Sequence, residues 1–170
     1  MTKPMSKSLL LCLLLLVPTF AFATEAELDR DVWKPFVAGV NQDKPELYVG
    51  VRAADFHWVA PGSKGRVMDL AEYDDDSRRV MAKRKEDGTT SEMEVRFLER
   101  NVKPTFAAEK VVIKFTMREK GKEPQTSYGI AHYFSRKENG VWKVFLQYGS
   151  REKGTVELWE GAMAVGAGKN

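Results

Sequence analysis

Leu28, Val32, Phe36 and Val40 recur every four residues, and Trp33 and Val37 widen the stripe, so residues 28–40 predict an amphipathic helix. Pro35 interrupts it. Its ring clashes with the carbonyl four residues earlier and it offers no N–H, which predicts a kink just before Pro35, or two short pieces, ending at Asn41. Asp43, with Glu46 three residues on, reads as an N-cap and its box partner, opening a helix through Leu47, Tyr48 and Val51. Residues 55–60, DFHWVA, are aromatic and β-branched and stop at Pro61-Gly62, which predicts a strand. Asp69 and Glu72 repeat the capping-box spacing. The helix they open is acidic early (Glu72, Asp74, Asp75, Asp76), basic late (Lys83, Arg84, Lys85) and closed by Gly88, an order that suits the helix dipole.

Beyond residue 90 the period becomes two. Met93, Val95 and Phe97 alternate with charged residues up to a Lys103-Pro104 turn, and Val111, Ile113, Phe115 and Met117 alternate with Lys110, Lys114 and Arg118. Residues 125–150, QTSYGIAHYFSRKENGVWKVFLQYGS, read as two long antiparallel strands around Glu138-Asn139-Gly140. A three-residue loop, with Gly140 as a left-handed bulge, pairs Lys137 with Val141. Phe134 then opposes Val144, His132 opposes Leu146 and Ile130 opposes Tyr148, all on one face with Trp142. A two-residue Asn-Gly loop would instead set apolar residues against polar ones. A last helix is expected from about Thr155 through Met163. The plan is α+β: N-terminal helices packed on the concave face of a strongly curved antiparallel sheet, forming a cone whose mouth is a pocket.

The first 23 residues read as a signal peptide, leaving residues 24–170 as one domain. Lys3 and Lys7 form a positive n-region, residues 9–17 are almost purely apolar, and Ala21-Phe22-Ala23 is an A-x-A signal for cleavage after Ala23. An uncleaved N-terminal anchor is the alternative. Cys12 lies inside the apolar run, and Leu11 before it is too large for a lipoprotein signal. Cleavage predicts a periplasmic or secreted protein with no cysteine, hence no disulfide, thiol nucleophile or cysteine-bound metal. The precursor's net charge of +3 falls to about +1 with the loss of Lys3 and Lys7, which makes no electrostatic case for nucleic acid. No later segment is apolar and long enough for stable membrane insertion.

Trp33 with Phe36, the DFHWVAPG segment at residues 55–62, FLER at residues 97–100 and YGIAHYFSRKENGVWKVFLQYGS at residues 128–150 resemble the nuclear transport factor 2-like superfamily, in its SnoaL-like and uncharacterised exported branches. The resemblance spans about residues 25–164. It implies the cone fold. It also implies a pocket used across the superfamily by isomerases, dehydratases, polyketide cyclases and ligand carriers, the enzymes among them placing an Asp, His or Tyr acid–base set inside. Those sets do not align residue by residue here, and Gln147-Tyr148-Gly149 stands where exported relatives carry an acidic or His-containing strand end.

On the expected register, Tyr128, His132 and Tyr148 put polar heads among apolar groups of the hairpin. Asp55 and His57 share a strand face, Trp58 lies beside them, and Tyr48 and Tyr73 come from the covering helices. An acid–base set of His132, Tyr128 and Asp55 is therefore the catalytic candidate, with Tyr48, His57, Trp58, Tyr73, Glu109 and Tyr148 as ligand-binding candidates. Glu109 falls on an apolar strand face, where a carboxylate needs a reason such as a pocket or a salt bridge to Arg96 or Arg100. No metal site or cofactor is expected: two histidines at 57 and 132 match no zinc spacing, and neighbouring Asp74, Asp75 and Asp76 do not share a helix face. The opposite hairpin face, with Tyr133 beside Phe145, predicts a homodimer packed sheet to sheet. The expected function is binding of a small, partly apolar molecule. A cyclase, isomerase or dehydratase-type enzyme is the alternative, and a structural or partner-binding domain with a filled core the third reading.

Overall fold

The computed structural model describes residues 19–60 and 65–167, with side chains from residue 24 onward. The expected targeting segment lies, up to residue 18, outside the described residues, as do Pro61 to Lys64. Helix α1 (Thr19–Leu28) runs into a π-helical turn at Asp29–Trp33 and then into α2 (Lys34–Asn41). The widened turn falls where Pro35 demands it. The Lys34 N–H reaches back to the Asp29 carbonyl, and Pro35 enters the first turn of α2, where a missing N–H costs little. Leu28, Val32, Trp33, Phe36 and Val40 are all buried along this rod.

Helix α3 (Pro45–Gly50) starts later than the Asp43–Glu46 pattern predicts. Pro45 stands at the first helical position, Lys44 caps without a side-chain bond, and Asp43 sits at φ 50 with its carboxylate toward Arg84. Proline's fixed φ sets the start and overrides the capping box. Gly39 lets α3 come close: a Cβ there would lie 2.4 Å from the Tyr48 nitrogen. That approach stacks Tyr48 on Phe36, ring centroids 4.9 Å apart.

Strands β1 (Arg52–Val59) and β2 (Val67–Asp69) precede α4 (Leu70–Glu86), whose capping box forms as expected. Its far end closes with Gly88 at φ 63 and the Thr89 N–H on the Arg84 carbonyl at 2.8 Å. Then come β3 (Thr90–Val102), β4 (Phe106–Arg118), β5 (Gln125–Glu138), β6 (Val141–Lys153), α5 (Val156–Gly161) and β7 (Met163–Ala164). The last helix is shorter than expected, since Met163 leaves it to pair with Phe97. The curved, unclosed sheet has the order β2-β1-β6-β5-β4-β3-β7, antiparallel except where β1 lies parallel to β6. Helices α1 to α4 cover one face, and the apolar side chains of that layer share a core with Val95, Phe97, Val111, Tyr133, Trp142 and Val144.

The hairpin loop has two residues, not three. Glu138 pairs with Val141, and Asn139 and Gly140, at φ 49 and 84, make the turn. A β-bulge repairs the mismatch that such a loop would cause. Ser135 opposes Val144 but Phe134 opposes Leu146, which leaves Phe145 as the extra residue. Trp142 and Val144 face the core as expected, but their β5 companions there are Ser135, Tyr133 and Ala131. His132, paired with Tyr148, and Phe134, paired with Leu146, lie on the outer face. The expected Tyr133/Phe145 dimer surface is thereby split, with Tyr133 1% exposed in the core and Phe145 outside against Phe106 and Phe134. Helix α5 lies on the outer face, its buried Trp159 resting on Arg96, Lys114 and Tyr128.

Candidate functional site

The mouth of the cone opens between α3, α4 and the sheet. There a cavity of about 340 Å³, near the low end for small-molecule sites, is lined by Val40, Trp58, Met68, Val80, Met81, Met93 and Phe115 on its apolar sides. Polar side chains reach it in two groups. Tyr48, Tyr73 and Gln147 are joined through one another and Arg52, and Asp76, Ser77 and Arg84 line it from α4, which also carries Tyr73. Asp76 is engaged by Arg79, and Arg84 by Ser91 and Asp43.

Behind the first group lies Arg52, which the sequence reading did not single out. It is 5% exposed at the start of β1. One terminal nitrogen donates to the Tyr48 carbonyl, and the other donates to the Tyr73 hydroxyl at 2.8 Å and to Gln147 Oε1 at 3.2 Å. Its Nε has no hydrogen-bond partner among the described residues, and no carboxylate there lies within ion-pair distance. Four rings surround the guanidinium instead: Tyr73 at 4.4 Å, Tyr48 at 4.6 Å, Phe56 at 5.0 Å and Phe36 at 5.3 Å from its carbon. Each ring offers about 0.5–2 kcal/mol, against a desolvation cost of several kcal/mol for a buried ion. The two terms are of similar size, so the cage holds the cation without neutralising it.

The Tyr48 and Tyr73 hydroxyls hydrogen-bond each other. Burial, first of all, raises the Tyr73 phenol well above its ordinary range, with the Tyr48 neighbour adding to it and Arg52 opposing. Tyr133 lies deeper in the core, its hydroxyl unpartnered among the described residues and its pKa likewise raised by burial.

Of the expected ligand-binding residues, Tyr48, Trp58 and Tyr73 meet at this cavity. The others do not. Asp55 is exposed and held by both terminal nitrogens of Arg136 at 2.7 and 3.0 Å, a bond that lowers its pKa. His57 is exposed and turns Nδ1 to the Asp55 carbonyl. His132 and Tyr148 stack loosely on the outer face, and Tyr128 lies under Trp159. The His132, Tyr128 and Asp55 set therefore does not converge in the cone. The cause is the register: the Phe145 bulge and the two-residue turn invert the faces that a three-residue loop assigns.

Glu109 is buried for a different reason. It accepts from Trp33 Nε1 at 3.0 Å and from Arg100 Nε at 2.8 Å, which settles its partner as Arg100 rather than Arg96. Arg100 also donates to Asp29 at 2.7 Å, and Asp29 accepts the Gly166 N–H at 3.0 Å. Burial pushes the Glu109 carboxyl up to about 7, with Arg100 and Trp33 opposing. Glu109 and His132 both border a second cavity of about 640 Å³ near Leu98 and Met163, but pairing with Tyr133 and Lys110 puts them on opposite sheet faces.

Neither a family model nor a curated protein sequence matches this chain. Solved structures do, at low identity. A candidate scytalone dehydratase from Novosphingobium aromaticivorans superposes with a TM-score of 0.64 at 13% identity, over 89% of this chain and 99% of that one. A nuclear transport factor 2-like protein of unknown function from Pseudomonas putida gives 0.58 at 14%, over 87% and 97%. A domain of unknown function with a cystatin-like fold from Nostoc punctiforme gives 0.58 at 16%, over 81% and 82%. The chain has the nuclear transport factor 2-like, cystatin-like fold, as the resemblance in its sequence implies.

Proposed function

We propose that this protein binds a small, partly apolar molecule in the mouth of its cone, and that it does so after export and cleavage behind Ala23. One observation carries the binding reading: a cavity of about 340 Å³ with apolar walls has Tyr48, Tyr73 and Gln147 grouped at one side. A few convergent polar groups in an apolar recess orient a ligand, whereas a filled core offers no recess. The test is a thermal-shift and calorimetric screen of small apolar compounds against the native protein and Val80→Trp. Val80 lines the cavity but is 43% exposed, so an indole there obstructs the mouth without overpacking the core. Binding by the native protein that Val80→Trp abolishes is the expected result. Equal binding by both places the ligand elsewhere.

The enzymatic alternative draws support from the fold it shares with a candidate scytalone dehydratase and from the Tyr48–Tyr73 pair, which could donate to a carbonyl oxygen. It lacks its histidine, because His57 and His132 lie outside the cone. Export rests on the n-region, apolar core and A-x-A signal of residues 1–23. N-terminal sequencing of the protein from fractionated cells should read Thr24 first, in the periplasmic or medium fraction.

A further inference from the structure

We infer that the molecule taken into the cone is an organic anion, whose carboxylate meets the Tyr48–Tyr73 pair in front of Arg52. This rests on the binding reading above and adds the ligand's charge. The argument is a count of protons and charges. Tyr73 accepts from Arg52, so its oxygen faces a cationic donor. The two phenols share one hydrogen bond, which uses one of their two protons. The other has no acceptor among the described residues, and it belongs to a hydroxyl of a residue that lines the cavity. Whichever phenol holds it, that proton is the free end of a chain that begins at a buried guanidinium, and such chains polarise their terminal donor.

The charge count points the same way. Arg52 is nine-tenths buried with no carboxylate partner among the described residues and an unused Nε–H. Arg84, which also lines the cavity and pairs with Asp43, likewise has an unpartnered Nε. The one carboxylate on the wall, Asp76, is taken by Arg79. An anionic oxygen completes the phenol chain and compensates Arg52, while Trp58, Met68 and Met81 receive an apolar body. A carboxylate suits the guanidinium and phenol donors better than a neutral amide of the same shape, because charged acceptors make the stronger bonds.

The experiment compares straight-chain and arylalkyl carboxylic acids of graded length with their primary amides, by isothermal titration at low and high salt. The native protein is measured beside Tyr48→Phe and Arg52→Gln. Acids should bind about tenfold tighter than their amides, since a charged acceptor is worth about 1.4 kcal/mol more than the amide carbonyl in its place. Tyr48→Phe should narrow that ratio, and Arg52→Gln should remove it. Tyr48 is only half-buried, so its variant keeps the test decisive if Arg52→Gln fails to fold. Acids and amides binding alike, with Val80→Trp still blocking both, would overturn the anion and leave the pocket. No binding by any compound of either class overturns both.

Discussion

Replacing Glu109 with glutamine should flatten the dependence of stability on pH. The carboxyl is pushed from 4.5 to about 7 in the folded protein by burial. Between these values the unfolded chain has released the proton that the folded protein keeps, so the folded state binds more protons and stability falls as pH rises. The loss begins near pH 4.5 and is complete above about 7. At 1.36 kcal/mol per pH unit, that shift makes the Glu109 contribution about 3 kcal/mol. The amide introduced by Glu109→Gln does not titrate. It does carry a fixed cost, because its NH₂ must face either the Arg100 or the Trp33 donor, at about 1–3 kcal/mol for the bond left unmade. The two effects separate by their pH dependence. Urea unfolding of both proteins at intervals from pH 4.5 to 8 gives the stability of each, and the advantage of the native protein should shrink by about 3 kcal/mol across that range. Groups common to both proteins cancel in the difference. Parallel curves would refute the reasoning, for they would mean that Glu109 is equally ionised in the folded and unfolded states.

Other outcomes follow from the same geometry. Gly39→Ala should destabilise the protein by about 1–3 kcal/mol in urea and weaken ligand binding, because its Cβ meets the Tyr48 backbone and displaces α3. Gly140→Ala should cost about 1–2 kcal/mol, read as a lower melting midpoint with affinity unchanged, since φ 84 is strained for any residue with a Cβ. Asp69→Ala should cost about 1 kcal/mol by removing the α4 cap. Asp55→Asn and His132→Ala should leave titrated ligand affinity unaltered, as both side chains lie outside the cone; a large loss in His132→Ala would restore the hairpin face to the site, and one in Asp55→Asn the β1 edge.

Periodicity made most of the architecture legible before any coordinates. The 28–40 stripe, the Asp69 box and the alternation around Met93 and Val111 all specify their own local partners, and the elements form accordingly. The hairpin failed at its turn length and at one bulged residue. A β-bulge adds a single position to one strand and inverts every face beyond it, yet leaves no mark in a pattern already rich in aromatics on both faces. The two-residue turn moved His132 out of the site and Tyr133 into the core, and the Phe145 bulge moved Tyr148 out. The residues read from helices fared better, because Tyr48 and Tyr73 face inward by helical spacing regardless of strand register. Arg52 gave no signal because an arginine at a strand start is ordinarily a surface residue. Its ring cage distinguishes it, and that cage closes only when Phe36 and Tyr73 join the nearby Tyr48 and Phe56.

The Asp29 carboxylate bears on the order in which the chain can fold. The segment bearing it and Trp33 is made before its polar anchors, which arrive 71, 76 and 137 residues later as Arg100, Glu109 and the Gly166 amide. Until the β3–β4 hairpin exists, an isolated first helix would have to bury Asp29 without a partner, which is unfavourable. Contacts of such separation in sequence also form slowly. The segment around Asp29 and Trp33 can thus lock only once the β3–β4 hairpin and the Gly166 turn are in place.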